Sequence, residues 1–294
     1  MAIAVAIVAL ICSIQIRKES RLLQELEDSG HGLLFGLAAI SLLPDRKAGW
    51  RIYAAVAIAA TILGIAVELV QWIAGKDAEV GDVFRDAAGA AVFLGVAWAF
   101  QNEYSARMRR LVVLAGIAIM ASIFSPPLLT ASAIIARWHK FPVIADFSSS
   151  LDTRLCSASN ARFRRIYLKK RFAGLVEFNK RAQFSAFAII GPFPDWSRYK
   201  YLAFRVDSDK SKPIHLYLRI NDAEHNNDYA DRYNAQLLIL PGGNDIRIPL
   251  EAIKRSPGKR QMNMKAIHAI VLFVMQPEES FPLVIDDFRL EGNS

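Results

Sequence analysis

Thr61-Ile-Leu-Gly-Ile-Ala-Val-Glu-Leu-Val-Gln-Trp-Ile-Ala-Gly-Lys-Asp-Ala-Glu-Val-Gly-Asp-Val-Phe-Arg-Asp-Ala-Ala-Gly89 is a run apolar enough for a membrane that takes on polar groups just before it turns back. Glu68 and Gln71 are spaced i,i+3, so both lie on one side of a helix that is otherwise Ile, Val, Leu and Ala. Asp82, Asp86 and Gly89 repeat the device at i, i+4, i+7 on the next helix, with Arg85 in reach of either aspartate. A carboxylate in the apolar zone costs roughly 2.5 to 3.5 kcal/mol on insertion scales, so such groups face a bundle interior or a water-filled cavity. This hairpin is therefore a candidate binding site. The alternative is structural: Arg85 and Gln71 holding two helices together with no ligand.

The apolar excess extends outward from the hairpin and then stops. With 294 residues and 53% hydrophobic content, the chain fits two domains of about 150 residues each. Charges are sparse in long blocks up to Ala136, and from Arg137 onward the composition is that of a soluble domain. Met1 to Ile16 is an uninterrupted apolar run that reaches only about 24 Å across a hydrocarbon core of about 30 Å. It lacks the basic start and small-residue cleavage site of a signal peptide, so it reads as a first span, with an upstream start left open. A charged segment, Arg17 to Asp28, follows as a loop. The second span begins near His31 and ends at Pro44, and Ile52 to Val67 with its polar foot makes the third. Ala87 to Phe100 with its polar head makes the fourth, and Leu111 to Ala136, interrupted by Ser125-Pro126-Pro127, makes a kinked fifth.

Asp28-x-x-His31, then Glu68-x-x-Gln71, then a basic residue and Asp82-x-x-x-Asp86-x-x-Gly89 resembles the VanZ-like family over about the first hundred residues. The founding member of that family is associated with teicoplanin resistance. The sequence departs from the family in having Lys76 where Arg is usual and Asp86 where Asn is usual; the second change adds a negative charge. The candidate membrane ligand-binding set is Asp28, His31, Glu68, Gln71, Lys76, Asp82 and Asp86.

Five spans put Asp28, His31 and the polar hairpin on the same membrane face as the C-terminal domain. Lys and Arg near the span ends balance between the two sides, so charge bias does not orient the chain. By analogy with sugar-binding domains, which work outside cells, the N-terminus is placed inside and the C-terminal domain outside a bacterial cytoplasmic membrane.

After Trp138-His-Lys-Phe-Pro142 the period changes to two. Ile214 to Ile220, Ile246 to Leu250 and Phe281 to Leu290 have strand lengths, and Gly191-Pro, Pro241-Gly-Gly-Asn and Ser256-Pro-Gly mark turns. About nine such segments predict an all-β sandwich. Val143-Ile-Ala-Asp-Phe147, Pro194-Asp-Trp-Ser-Arg-Tyr-Lys-Tyr-Leu202, Leu240 to Pro249 and Ile285-Asp-Asp-Phe288 resemble jelly-roll carbohydrate-binding modules and the related complex I intermediate-associated-protein-like domains. The expected architecture is thus a multidomain membrane protein: an α-helical transmembrane bundle of about five spans over residues 1–137, and a jelly-roll sandwich over 138–294.

Within the sandwich, Arg219 to Tyr233 is dense in carboxylates, amides, Arg and flat rings. Sugars present hydroxyl edges and apolar C–H faces, and such groups match both. Arg219, Asp222, Asp228, Tyr229, Arg232 and Tyr233 are the candidate ligand-binding residues there; the alternative is a solvated polar loop. Trp196 reads as a core or turn anchor. Asp146 with Asp286 and Asp287 has the makings of a calcium site between the first and last strands, or of capping turns. Arg162 to Arg171 carries six basic residues in ten, which suits anionic lipid head groups or acidic envelope polymers rather than nucleic acid in a membrane-tethered domain, or else a solvated strand pair.

Cys12 and Cys156 imply no disulfide framework, and no metal-ligand spacing, phosphate loop or nucleophile motif is present, so no cofactor and no metal are expected. The resulting expectation is a binder of an envelope glycan or lipid-linked precursor. The alternative is a membrane enzyme on the same ligand class, with Asp82 or Glu68 as general base and His31 as proton shuttle.

Overall fold

The computed structural model describes residues 20–45, 47–73, 80–102 and 104–293. The chain divides into two compact units, Met1–Leu128 and Leu129–Ser294. The expected first span, Met1 to Ile16, and Lys76 lie outside the described residues.

Four long helices are described: α1 (Arg21–Leu42), α2 (Trp50–Ile73), α3 (Val80–Gln101) and α4 (Ala106–Lys140). Of these, α2, α3 and α4 are long and apolar enough to cross a membrane, so of the four expected spans that fall among the described residues three qualify and the one beginning near His31 does not. The charged stretch expected as a loop is helical from Arg21. Its Leu, Gln and Glu residues favour helix, and Arg21 Nε pairs with Glu25 Oε1 one turn on at 2.9 Å. α1 ends as expected before Pro44, because proline disfavours the helical conformation at the preceding Leu43, which is extended at φ −68°, ψ 120°.

The last expected span is one helix: α4 continues through Pro126 and Pro127. Each proline withholds the N–H that would reach a carbonyl four residues back, leaving the Ser122 and Ile123 oxygens to be met otherwise. Ser125 Oγ donates to the Ser122 oxygen at 2.9 Å, and the Ile123 oxygen is met from another helix.

Glycine sets the closest approach in the helical unit. A Cβ on Gly89 of α3 would lie 1.7 Å from the Gly32 carbonyl oxygen of α1, so only glycine permits this crossing. Farther along, Ala39, Tyr53, Val56, Ala60, Ala90 and Leu94 form an apolar cluster joining α1, α2 and α3. Ile58, Ile62, Ile65 and Leu69 stand exposed along α2 at i, i+4, i+7, i+11, an unbroken apolar stripe.

The second unit is an antiparallel β-sandwich of jelly-roll type. One sheet runs β3 (Ala161–Leu168), β4 (Arg171–Phe178), β11 (Phe281–Asn293), β6 (Tyr199–Ser208), β9 (Gly242–Pro249), with β1 (Val143–Ala145) also paired to β11. The other runs β2 (Cys156–Ser159), β5 (Phe184–Ile190), β10 (Ile267–Met275), β7 (Ile214–Asp222), β8 (Tyr233–Ile239). Short helices α5 (Leu151–Arg154) and α6 (Leu250–Lys254) complete it. From β4 to β7 each successive strand changes sheet, so the two inner faces are laid down alternately and meet in one core.

That core holds Phe147, Phe178, Phe187, Phe288 and Trp196 without measurable exposure beyond 1%. Phe204 and Phe288 stack with centroids 4.8 Å apart. Fully burying a side chain of this size is worth roughly 1.5 to 3 kcal/mol, so the aromatic layer alone is a large part of what holds the sheets together. Trp196 is the core anchor expected of it.

Candidate functional site

Two groups of polar side chains stand out, one in each unit. In the helical unit, His31 of α1, Glu68 of α2, and Asp82 and Asp86 of α3 are all buried, at 6%, 6%, 8% and 1% exposure. The Gly32–Gly89 crossing explains their meeting, because His31 precedes Gly32 and Asp86 lies one turn before Gly89. His31 Nδ1 is 3.4 Å from Asp86 Oδ1. Gly64 makes room for that carboxylate: a Cβ there would come within 2.8 Å of Asp86 Oδ2. Arg85 pairs with Asp82 and reaches Asp28 at 3.8 Å, so Asp28 joins the rim of the cluster through a shared guanidinium. Gln71 is half-buried on the turn after Glu68.

The pieces that the sequence spreads over some sixty positions are therefore gathered from three helices. Ligand-type atoms of His31, Glu68 and Asp82 lie within 4.8 Å of one another, a grouping that no local spacing reveals.

The sandwich residues singled out from sequence separate into two sets. Asp222, 1% exposed, is clamped by Arg260, whose Nη1 and Nη2 donate to its two oxygens at 2.6 and 2.7 Å. Arg260 also holds Asp231 at 2.7 and 3.0 Å, and these two carboxylates raise its pKa still further above the usual guanidinium value. The loop is thereby fastened to the body of the sandwich, and Asp222 is occupied in holding it. Asp228 and Tyr229 are exposed at its tip, and the Arg232 guanidinium sits 5.1 Å from the Tyr229 ring centre. Tyr233 opens β8 with its ring against the core, where burial raises its pKa.

Arg219 belongs to a different surface. In β7 it alternates with the buried Leu218 and Ile220, so it stands on the outer face of the β2-β5-β10-β7-β8 sheet. Next to it on the same face, Tyr217 and Phe273 are cross-strand partners with rings stacked 5.3 Å apart at 22°. Tyr217 is opposite Gln236 and Arg219 opposite Asn234 on β8. Gln236 Nε2 and His215 Nδ1 are 2.7 Å apart, and Arg232 Nε donates to Asn234 Oδ1 at 3.0 Å. Burial, with Arg232 nearby, lowers the Arg219 pKa, and its buried Nε has no hydrogen-bond partner among the described residues. Tyr217, Phe273, His215, Gln236 and Asn234 were missed by sequence reasoning. The signal was present as period-two alternation, but the set becomes one surface only when three strands are placed side by side.

The aspartates considered for calcium each have a protein cation. Lys140 Nζ is 3.0 Å from Asp146, Arg171 Nε is 3.2 Å from Asp286, and Arg289 pairs with Asp287. Burial works to raise the Asp146 pKa, but Lys140 and Ser148 outweigh it and hold it at about 2. At Asp286 burial dominates, with Asp146 and Asp207 adding to it against Arg171, and the pKa stands at about 6. The basic stretch forms the β3–β4 hairpin, with Lys169 and Lys170 at its tip. Arg165 donates to the Phe147 carbonyl at 2.6 Å, and Arg164 pairs with Glu177 at 3.3 Å, so part of the cluster serves the sandwich itself. Elsewhere on this unit a cleft of ≈ 570 Å³ is lined by Trp196, Tyr201, Lys200, Lys254, Asn263 and Lys265, among others.

No family model matches this chain, and no curated protein matches it. Among solved structures it is similar to an exo-beta-agarase, at 16% identity and a TM-score of 0.43 over 52% of this chain and 25% of that one. It is also similar to a family 11 carbohydrate-binding module from Clostridium thermocellum, solved with a beta-1,3-1,4-mixed-linked tetrasaccharide, at 14% identity and a TM-score of 0.42 over 51% of this chain and 95% of that one. A third is a family 28 module described as specific for non-crystalline cellulose, at 10% identity and a TM-score of 0.38 over 52% and 94%. The chain thus spans about a quarter of the agarase and nearly the whole of each module.

Proposed function

We propose that this chain is a membrane-anchored glycan-binding protein, of VanZ-like type in its helical unit, that holds a bacterial envelope glycan or its lipid-linked precursor on the outer face of the β2-β5-β10-β7-β8 sheet. The observation that carries this reading is the Tyr217–Phe273 stack flanked in register by Arg219, Gln236 and Asn234. Stacked rings match the C–H faces of a sugar, while a guanidinium and two amides on neighbouring strands match its hydroxyl edges or an acidic substituent. Support for the anchor is the exposed apolar stripe of α2, together with three helices of spanning length. Support for the VanZ-like reading is the quoted residue pattern and the gathering of His31, Glu68, Asp82 and Asp86 into one buried cluster. The proposed place is the bacterial cytoplasmic membrane, with the sandwich outside.

The full chain, purified in detergent, is incubated with fluorescent envelope polysaccharides and labelled lipid-linked precursors. Tyr217→Ala and Arg219→Ala are expected to weaken retention by about tenfold or more, as for residues at the centre of an interface. Retention unchanged in both variants, or lost instead in Lys200→Ala/Lys254→Ala, moves the site away from this sheet face. A new product formed during incubation speaks for the enzyme reading.

A further inference from the structure

We propose that His31, Glu68 and Asp82 bind a divalent transition-metal cation inside the helical unit. Each residue comes from a different helix, each is buried, and one ligand-type atom of each lies within 4.8 Å of the other two. Atoms bonded to one ion at about 2.1 Å lie at most about 4.2 Å apart, so side-chain rotations close the set, and the ion competes with Arg85 for Asp82. One imidazole nitrogen with two carboxylate oxygens is a donor set for zinc or manganese: the oxygens suit hard ions, and the nitrogen favours a borderline one. Three protein ligands leave a further position for water or for a ligand oxygen.

Asp86 provides a second and independent reason. It is 1% exposed, and neither carboxylate oxygen has a hydrogen-bond donor among the described residues. Across the helix crossing it faces His31, whose Nδ1 stands 3.4 Å from Oδ1, close but outside hydrogen-bond geometry. A carboxylate behind an imidazole is how metal-binding histidines are commonly oriented: Nδ1–H turns to the carboxylate and Nε2 is left for the metal. A carboxylate without a hydrogen-bond donor among apolar helices is costly, and a dication held by the adjacent imidazole adds positive field to it. Gly64 keeps the space that Asp86 needs for this role. The inference stands apart from glycan binding by the sandwich and survives or fails on its own.

The test uses the full chain in detergent, stripped with a chelator, desalted, loaded with zinc chloride, desalted again and counted for metal by mass spectrometry. About one zinc per chain is expected in the wild type, as for a site with three protein ligands. His31→Gln and Glu68→Gln are expected to lose it, whereas Asp286→Asn in the sandwich keeps it. Asp86→Asn, a positioning change, is expected to weaken zinc by about 10- to 100-fold in competition with a chelating dye, as other outer-shell changes do. Cobalt loading gives a readout that needs no variant to fold: visible bands stronger than those of aqueous cobalt are expected in the wild type. Wild-type protein that emerges metal-free, folded variants that retain as much zinc as wild type, or a cobalt spectrum equal to that of the free ion overturns the proposal.

Discussion

Ser29 Oγ of α1 lies 2.8 Å from the Ile123 carbonyl oxygen of α4, the oxygen for which Pro127 has no N–H to offer. The same hydroxyl is 2.7 Å from Glu25 O on its own helix. One hydroxyl proton is thus shared between two carbonyls, and with Ser125 Oγ at the Ser122 oxygen it gives each carbonyl freed by the two prolines a donor within reach. Ser29→Ala should lower the stability of the full chain by about 1 to 3 kcal/mol, the cost of leaving a buried acceptor unmet. Thermal unfolding in detergent measures it. Ser41→Ala, which removes only an exposed bond to Leu37 O, is the comparison and should change little.

Gly89→Ala should prevent the helical unit from assembling, because the added methyl would sit 1.7 Å from the Gly32 oxygen with only backbone to give way. Gly95→Ala, with nothing within 4 Å of the new atom, should be neutral or stabilising by up to about 1 kcal/mol. Size-exclusion profiles of the two variants decide the matter; equal behaviour would mean that α1 and α3 do not cross at these glycines.

Arg137 is only 2% exposed, and its guanidinium donates to the Ile190 oxygen at 2.6 Å while lying 4.7 Å from the Phe193 ring centre. A soluble fragment starting at Leu129 retains this clamp, and one starting at Trp138 loses it. Both are expected to form the sandwich, the shorter with a stability lower by about 1.5 to 3 kcal/mol, the range for a hydrogen bond to a charged group. Urea unfolding of the pair gives the difference, and coincident curves would make Arg137 dispensable to the sandwich.

Asp286 has its pKa raised to about 6 by burial, so the folded protein holds this proton more tightly than the unfolded chain does. Its contribution to stability is fully present below the ordinary aspartate pKa and is lost as pH rises through about 6. Asp286→Asn should therefore be more stable than wild type at pH 8, by about 1 to 3 kcal/mol at 1.4 kcal/mol per pKa unit, and nearly equal to it at pH 4. Chemical unfolding across that interval tests the sign. An advantage for the variant that grows toward acid pH would contradict the burial argument.

The proposed orientation makes Ser150 accessible from outside and Ala48 inaccessible. Single cysteines at these positions, in a chain lacking Cys12 and Cys156, are to be treated in intact cells with a thiol reagent that cannot cross membranes. Labelling at Ser150 alone is the expected outcome; labelling at Ala48 alone reverses the orientation.

The sequence by itself determined the division of labour along the chain. Among the described residues, apolar runs to Ala136 specify helices, the period of two after Pro142 specifies strands, and the i,i+3 and i,i+4 spacings put each polar group on a definite helix face. These are local properties, written into the order of neighbouring residues and expressed whatever the rest of the chain does. Tertiary structure alone decided which faces meet. His31 and Asp86 come together because two glycines let α1 and α3 approach to backbone contact; Asp222 is closed off by Arg260, thirty-eight positions later; and Tyr217, Phe273 and Gln236 become one surface only through strand register. Such pairings depend on close approach and on register across long loops, and neither is encoded in the periodicity of any one segment.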